Sequence, residues 1–326
     1  MNLRRFIVEI KEIIGEILKN KKNSVYFVGC GASKADLYPG FYFVTRNSNI
    51  KAGHLTANEF NYDTPSDVGE NSIVITASLG GTTPETVAAT KKARELGATT
   101  IALTNNAESP IAKAAEYPII HGFYESYAAK MDKMRLNLQL AIEIVHQIEG
   151  VKFYDEFKLG FEKLPSVIEE VVKLARPEAK KFAKSFEKAN PIYVLGSGPN
   201  FGIAYSTSLC LLLEMQWINS GSVHSGEFFH GALEITDKDV PFIVFMADGK
   251  TRKLDERLLE FLLRFDAKVA LIDGKDYALS NKFKSNVVDY FNPLVLSPVM
   301  RVYAEELSNI RGHALSKRRY MWKLKY

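Results

Sequence analysis

A short apolar strand that runs into a glycine-rich turn and then into a helix occurs twice in this chain of 326 residues. The first copy spans residues 25–33 (VYFVGCGAS) and the second spans residues 193–198 (YVLGSG). A strand, a tight turn and a helix in this order begin a βαβ unit, and such units build parallel sheets covered by helices. Because the pattern restarts, the sequence predicts one doubly wound α/β unit used twice.

Further β-branched runs alternate with helical patterns around both turns. The strands predicted in the first half are 24–28, 50–54, 72–77, 99–103 and 117–121. Those predicted in the second half are 192–195, 242–246, 268–272 and 287–290. A charged helical stretch separates the halves. We therefore expect a first domain over 1–150, a helical connection over 151–190 and a second domain over 191–326.

The charge, the cysteines and the apolar runs of the sequence bear on its partners, its compartment and its association with membranes. The net charge of +4, from 42 basic and 38 acidic residues, decides little. The basic residues of 317–325 would suit a nucleic acid or a phosphorylated substrate, but a solvated surface is the simpler interpretation, and we expect no nucleic-acid partner. The two cysteines, Cys30 and Cys210, stand in apolar contexts rather than in a paired framework, which favours the cytoplasm. Charges interrupt the apolar pattern of residues 1–20, which predicts an amphipathic helix, and no run is long enough to cross a bilayer.

The segment 78–86 (SLGGTTPET) follows the third predicted strand and opens a helix. Its hydroxyls stand beside the unpaired N–H groups of a helix start, which suits an anion. No Walker lysine accompanies them, so the expected ligand is a phosphate that is not a nucleotide. The alternative interpretation is ordinary helix capping by Thr82 or Thr83.

The turn 29–33 is a weaker pattern, because it lacks the full G-x-G-x-x-G motif and also fits a plain structural turn. Together the two segments supply the candidate phosphate-binding residues, which are Gly31, Ser33, Ser78, Gly80, Thr82 and Thr83.

A single carboxylate, Glu214, interrupts the apolar helical run 211–217 (LLLEMQW). Burying this charge is costly unless the carboxylate is paired or used in chemistry. Burial would also raise its pKa toward the range of a general base. Two interpretations stay open, namely a catalytic base and a structural glutamate paired with an arginine or a lysine.

An imidazole and a carboxylate lie close together in the segment 224–231 (HSGEFFHG). His230 is a candidate acid–base residue, although a lone histidine is more often a hydrogen-bonded core residue. Glu227 is an alternative to Glu214 as the base. His224, Glu227 and His230 are also a conceivable zinc set, but they lack the helical HExxH spacing, and we expect no metal.

With these motifs the sequence resembles the SIS (sugar isomerase) family over nearly the whole chain. Residues 78–83 resemble its S-x-S-x-x-T phosphate loop, with Gly80 in place of the second serine, and residues 29–33 resemble its C-G-T-S turn. The spacing of Glu214 and His230 is similar to that of the catalytic pair in the isomerase part of glucosamine-6-phosphate synthase. Residues 225–231 and 318–323 (RRYMWK) are more similar to the fructosamine-6-phosphate deglycases.

The resemblance implies two SIS domains, no cofactor, and a homodimer with shared active sites. It implies that a phosphorylated Amadori compound is split into glucose 6-phosphate and an amino acid through an enaminol and an imine. Glu214 would then move protons between C1 and C2, and His230 would assist. The family's lysine near the C-terminus has a candidate in Lys323.

Two other functions remain open. A glucosamine-6-phosphate isomerase or deaminase would use the same loop and base, and a deaminase would release ammonia. A non-catalytic phosphosugar sensor needs the loop but no base, so Glu214 and His230 argue against it.

The amino acid that is released is not fixed by the sequence. Residues 320–323 (YMWK) are more similar to those of the aspartate-type relatives. With such a substrate, Lys323 or Arg319 would pair with the carboxylate of its amino acid. A lysine adduct would instead need an acidic pocket, which Glu125 or Asp132 would supply.

Overall fold

The chain folds into two compact units in a computed structural model that describes residues 3–325, with side chains described from Glu9 onward. Unit 1 is Met1–Pro165 and unit 2 is Ser166–Tyr326. Residues 1, 2 and 326 lie outside the described residues, and so does the beginning of the helix predicted for 1–20. No helix within residues 3–325 is both long and apolar enough to cross a membrane.

Unit 1 is built on a five-stranded parallel sheet in the order β2-β1-β3-β4-β5. Its strands are β1 (Ser24–Gly29), β2 (Lys51–Thr56), β3 (Ser72–Ala77), β4 (Thr99–Thr104) and β5 (Tyr117–Ile120). Its helices are α1 (Leu3–Ile17), α2 (Gly31–Asn47), α3 (Ala57–Tyr62), α4 (Pro84–Glu95), α5 (Pro110–Ala114), α6 (Tyr127–Lys130) and α7 (Asp132–Ile148). The winding direction reverses between β1 and β3, and in such sheets ligands bind outside the carboxyl ends of the strands at the reversal.

Strands β1 and β3 are buried along their whole length, as expected for the centre of a parallel sheet with helices on both faces. On one face, Tyr26 and Val74 pack in a cluster with Phe60 of α3 and Ala89 of α4. Helices α2 and α7 pack against each other. This packing fixes the loops at the carboxyl edge of β1 and β3.

Unit 2 is built on a four-stranded parallel sheet in the order β7-β6-β8-β9. Its strands are β6 (Ile192–Gly196), β7 (Ser220–His224), β8 (Pro241–Met246) and β9 (Lys268–Asp273). Its α-helices include α9 (Phe201–Ser206), α10 (Arg252–Arg264), α11 (Leu279–Lys282) and α12 (Val288–Ile310). Helix α9 continues as a π-helix over Thr207–Gln216, and short 3₁₀ turns cover Gly198–Asn200, Phe228–His230, Ala232–Ile235 and Gly274–Tyr277.

The predicted pair of doubly wound parallel sheets is confirmed, but one predicted strand is wrong. Residues 287–290 instead form the N-cap and the beginning of α12, because a short apolar run looks the same in a buried strand and in a buried helix. Strand β7 was not predicted, since its sequence, SGSVH, is rich in glycine and serine and half-buried.

The stretch 151–190 forms one long helix, α8 (Tyr154–Phe186), where we expected a helical connection. The division between the two units falls inside this helix, between Pro165 and Ser166.

Candidate functional site

The hydroxyl-rich loop follows β3 and leads into α4, at the carboxyl edge of the first sheet. Ser78 is buried, and its Oγ lies 2.9 Å from Oγ1 of Thr83. Thr83 precedes α4, yet its side chain makes no capping hydrogen bond to that helix, whose first position is Pro84. Gly80 and Thr82 are exposed. We call Gly31, Ser33, Ser78, Gly80, Thr82 and Thr83 the hydroxyl cradle.

Gly81 fixes the shape of this loop. Its φ of +70° is in the left-handed region, and a Cβ there would lie 2.2 Å from Oγ of Ser109. The carbonyl of Gly81 accepts a hydrogen bond of 3.1 Å from N–H of Ile111. Gly80 is different, because a Cβ there would meet only Oγ1 of Thr82, at 3.8 Å. A serine side chain would therefore fit at position 80.

The turn between β1 and α2 lies beside this loop. Ser33 is half-buried in the first turn of α2, two residues after Gly31, whose φ is +51°. Thr86 Oγ1 lies 3.8 Å from Cys30 Sγ and links the turn to α4. The structure therefore brings both predicted phosphate-binding segments together at one edge of unit 1.

Lys133 of α7 was not predicted, although it contacts the hydroxyl cradle. Its side chain is 5% exposed, its Nζ donates a 2.8 Å hydrogen bond to Ser33 Oγ, and Nζ lies 3.2 Å from Asp36 Oδ2. Burial raises the pKa of Asp36, and the Lys133 ammonium opposes that rise. The only indication in the sequence is a charged residue on the apolar side of a predicted helix.

His121 follows β5 at the same edge and is 2% exposed. Its Nδ1 lies 2.7 Å from the carbonyl of Gly122, and since a carbonyl only accepts, Nδ1 carries the proton. Burial lowers the pKa of His121 to about 4, so the ring is neutral at pH 7. Its buried Nε2 is then an acceptor, and it has no partner among the described residues.

In unit 2, Glu214 lies on the π-helix Thr207–Gln216, a helix type that is frequent at functional sites. Its side chain is 21% exposed, and its Oε1 is 2.6 Å from Nη2 of Arg318. Burial raises the pKa of Glu214, and the Arg318 guanidinium counteracts this rise. The sequence left open whether Glu214 is a catalytic base or is paired with an arginine or a lysine. The structure shows that an arginine, Arg318, is its partner. The second oxygen, Oε2, accepts no hydrogen bond from the described residues.

Arg318 is itself held firmly by the C-terminal segment. Its side chain is 8% exposed, and its Nη1 donates to the carbonyls of Leu315 and Lys317 at 2.8 and 2.9 Å. Its guanidinium also lies 5.2 Å from the centre of the Trp322 ring. The basic ending of the sequence therefore has a local role, because it carries the cation that faces Glu214.

The other catalytic candidates of unit 2 are exposed. His230 ends the turn Phe228–His230, and no hydrogen bond or ion pair joins it to Glu214 among the described residues. Glu227 and Lys323 are exposed as well. His224 Nδ1 accepts a 3.0 Å hydrogen bond from N–H of Gly226. Within residues 3–325, no group of His, Cys, Asp and Glu side chains is arranged to hold a metal ion.

The residues considered for the amino-acid end of a substrate have partners in their own units. Asp132 is 2.8 Å from Arg135, and Glu125 Oε2 accepts a 2.9 Å hydrogen bond from N–H of Phe123. The guanidinium of Arg319 lies 4.3 Å from the centre of the Trp217 ring, so this cation is close to the end of the helix that carries Glu214.

Comparison with known proteins places this geometry in a family. Residues 17–126, which include the hydroxyl cradle, match the SIS domain, so fold and site together define a SIS-domain protein. The chain is 39% identical to fructosamine deglycase FrlB of Bacillus subtilis (strain 168), over 98% of this chain and 97% of that protein. The chain belongs to the fructosamine deglycase family.

Two further comparisons agree with this assignment. The chain is 25% identical to fructoselysine 6-phosphate deglycase of Escherichia coli (strain K12), over 95% of this chain and 89% of that protein. A crystal structure of a candidate phosphosugar isomerase from Salmonella typhimurium LT2 superposes with a TM-score of 0.96 at 39% identity. That match covers 100% of this chain and 98% of the other.

Proposed function

We propose that the protein hydrolyses a 6-phosphofructosyl amino acid, an Amadori product, to glucose 6-phosphate and the free amino acid. Membership of the fructosamine deglycase family supports this reaction. The observation that carries the proposal is the Glu214 carboxylate, which is partly buried on an apolar helix and is paired through one oxygen with Arg318. The pairing favours the ionised form, and Oε2 is left to take up a proton.

In the proposed reaction, Glu214 removes a proton from C1 of the ketosamine, and the electrons of that C–H bond form the C1–C2 double bond. The C2 carbonyl electrons move to their oxygen, which takes up a proton to give an enaminol. Return of a proton to C2, with loss of the proton on the nitrogen, gives the imine between C1 and the amino acid nitrogen. Water adds to the imine, and collapse of the adduct releases the amino acid and the aldehyde of glucose 6-phosphate. No electrons are gained or lost overall. His230 would assist ring opening and proton movement at the nitrogen, because an imidazole has one nitrogen that accepts a proton and one that donates.

The hydroxyl cradle would hold the 6-phosphate. Hydroxyl and N–H donors at the start of α2 and α4 suit a phosphate oxygen, and the positive ends of both helices favour its charge. Gly80 would offer its N–H where related loops offer a second serine. Binding through the phosphate would fix the sugar carbons before proton transfer begins.

We further propose a homodimer in which His230 is contributed by the partner subunit. The exposure of His230 and its lack of contact with Glu214 are consistent with this role. Sedimentation tests the dimer, because a fully active monomer at assay concentration would refute it. A cytoplasmic location is proposed from the two free cysteines, Cys30 and Cys210.

The deciding experiment is a coupled assay for glucose 6-phosphate with a panel of 6-phosphofructosyl amino acids, including the aspartate, asparagine and lysine adducts. Glu214→Gln should lower kcat by about 10²- to 10⁴-fold, as expected for loss of a general base. Glu234→Gln is the matched control, since Glu234 is an exposed glutamate of the same unit. His230→Asn should lower kcat as well.

The outcomes separate the functions. Release of glucose 6-phosphate from one adduct, lost in Glu214→Gln and kept in Glu234→Gln, would support the deglycase and name its amino acid. If Glu227→Gln abolished the reaction while Glu214→Gln did not, Glu227 would be the base. Ammonia release from glucosamine 6-phosphate without any release from the adducts would move the assignment to the deaminase.

A further inference from the structure

We propose that Lys133 is a positioning residue of the phosphate site and that it acts through the hydroxyl of Ser33. Lys133 belongs to α7 and Ser33 to the first turn of α2, so the contact joins two packed helices of unit 1. The Nζ–Oγ distance is 2.8 Å, and the ammonium is almost fully buried. This inference rests on the proposed function, because it takes a sugar phosphate as the ligand of the hydroxyl cradle.

The direction of the hydrogen bond carries the inference. An ammonium group has three N–H donors and no acceptor, so Ser33 Oγ accepts in this pair. The Ser33 hydroxyl proton is then directed away from Lys133, and no acceptor takes it among the described residues. Ser33 thus becomes a donor with a fixed direction at the carboxyl edge of the sheet. A phosphate oxygen, which only accepts when ionised, is the matching partner.

Charge balance shows why the role is to orient Ser33 rather than to add positive charge. The Asp36 carboxylate lies 3.2 Å from Nζ and compensates the ammonium. The charge of Lys133 also acts on His121, which is neutral at pH 7. Asp132 and Arg135, whose charges act on the same histidine, form a balanced ion pair. The cluster as a whole therefore adds little net charge, and its effect is geometric.

A purely structural role is the competing interpretation, because a buried Lys–Asp pair also joins α2 to α7. The two interpretations differ in what a substitution changes. A structural pair affects the melting temperature and leaves ligand affinity intact in the folded protein. An orienting lysine affects the affinity for phosphorylated ligands, and only as long as Ser33 is present.

The test measures binding of glucose 6-phosphate to the full chain by calorimetry, with glucose as the unphosphorylated control. Lys133→Met and Ser33→Ala should each weaken binding of glucose 6-phosphate by about tenfold, which corresponds to one hydrogen bond to a charged acceptor. The double variant should bind about as weakly as Ser33→Ala alone. Lys91→Met, at an exposed lysine of α4, is the matched control and should bind like the wild type.

The same variants in the glucose 6-phosphate release assay should show a raised KM with kcat nearly unchanged. If removal of Lys133 left Asp36 unpaired and unfolded the protein, Lys133→Met/Asp36→Asn would remove both charges and allow the affinity to be measured. Unchanged affinity in a folded Lys133 variant would overturn the inference, and so would additive losses in the double variant.

Binding also separates this inference from the proposed function. A wild-type protein that binds glucose 6-phosphate but splits no adduct would overturn the proposed deglycase reaction. The effect of Lys133→Met on binding of glucose 6-phosphate would then still test the role of Lys133. A wild-type protein with no affinity for glucose 6-phosphate would overturn the phosphate site and the role of Lys133 together.

Discussion

Arg318 Nη2 lies 2.6 Å from Glu214 Oε1, so the carboxylate proposed as the base is held by a cation from the C-terminal segment of the same unit. Burial alone would favour the protonated acid, which cannot accept a proton from C1. The guanidinium favours the ionised form. Burial and the guanidinium therefore act on the pKa of Glu214 in opposite directions, and breaking the pair has a predictable sign.

Arg318→Met should move the acidic limb of the kcat/KM–pH profile to higher pH. Loss of the cation lets the pKa of Glu214 rise, so less of the base is ionised at pH 7, and kcat/KM should fall there by about tenfold or more. Raising the pH should restore part of the loss. Arg318→Lys keeps the charge and should shift the limb less. An equal loss at every pH would contradict a pKa effect.

Gly81→Ala should distort the hydroxyl-rich loop after β3. The substitution puts a side chain at a φ of +70° and a Cβ 2.2 Å from Ser109 Oγ, which should cost about 1–3 kcal/mol of unfolding free energy. Urea unfolding measures this cost, and KM for the substrate should rise. Gly80→Ala is the matched control, since its Cβ would meet only Thr82 Oγ1 at 3.8 Å, and equal destabilisation by both would argue against the strain.

Gly80→Ser should tighten phosphate binding. The position is exposed and has room for a Cβ, and the new hydroxyl would restore the second serine of the resembled loop. One added hydrogen bond to phosphate should lower the Kd for glucose 6-phosphate by up to about tenfold. Calorimetry on Gly80→Ser and Gly80→Ala separates the effect of the hydroxyl on this Kd from the effect of the Cβ. Equal affinity of the two variants would place the phosphate elsewhere.

Asp255 should make the stability of the protein fall as the pH rises through the mildly acidic range. Burial raises its pKa to about 6, although Ser225 Oγ donates a 2.6 Å hydrogen bond to it. The folded state holds this proton more tightly than the unfolded state, so ionising Asp255 destabilises the fold. The contribution changes between about pH 4 and 6 and amounts to about 1–3 kcal/mol.

The matching variant is Asp255→Asn, which stays neutral at every pH. Thermal melts should show that the stability of Asp255→Asn relative to the wild type increases from pH 4.5 to pH 7. A difference that does not change with pH would show that Asp255 stays in one protonation state over this range.

The sheets could be predicted because each buried strand is a local run of β-branched and apolar residues. The start of α12 could not, since residues 287–290 have the same apolar character and only the helix that follows distinguishes them. Strand β7 pairs with β6 through its backbone, and its small residues give no strand pattern.

The hydroxyl cradle could be predicted because its residues come from two short segments, each of which directly follows a strand. Lys133 could not, because its partner Ser33 is 100 residues away and only the packing of α7 on α2 brings them together. For the buried carboxylate of Glu214 the sequence left two interpretations, which were a catalytic base and pairing with an arginine or a lysine. Folding supplies that cation from Arg318, a residue that nothing in the local pattern connects to it.

The two sheets also allow a comparison of loops in corresponding places. The strand orders match, so the segment after β8 in unit 2 corresponds to the hydroxyl-rich loop after β3 in unit 1. In unit 2 this segment begins with Ala247 and Asp248, and Asp289 Oδ2 accepts a hydrogen bond from N–H of Lys250. An ionised carboxylate cannot donate a hydrogen bond to a phosphate, whereas the hydroxyls after β3 can.

If both units descend from one duplicated ancestor, the copies have specialised. The first would then have kept the loop that we propose binds phosphate, while the second lost it and was free to change in sequence. Laboratory evolution should therefore tolerate substitutions after β8 that would inactivate the protein after β3.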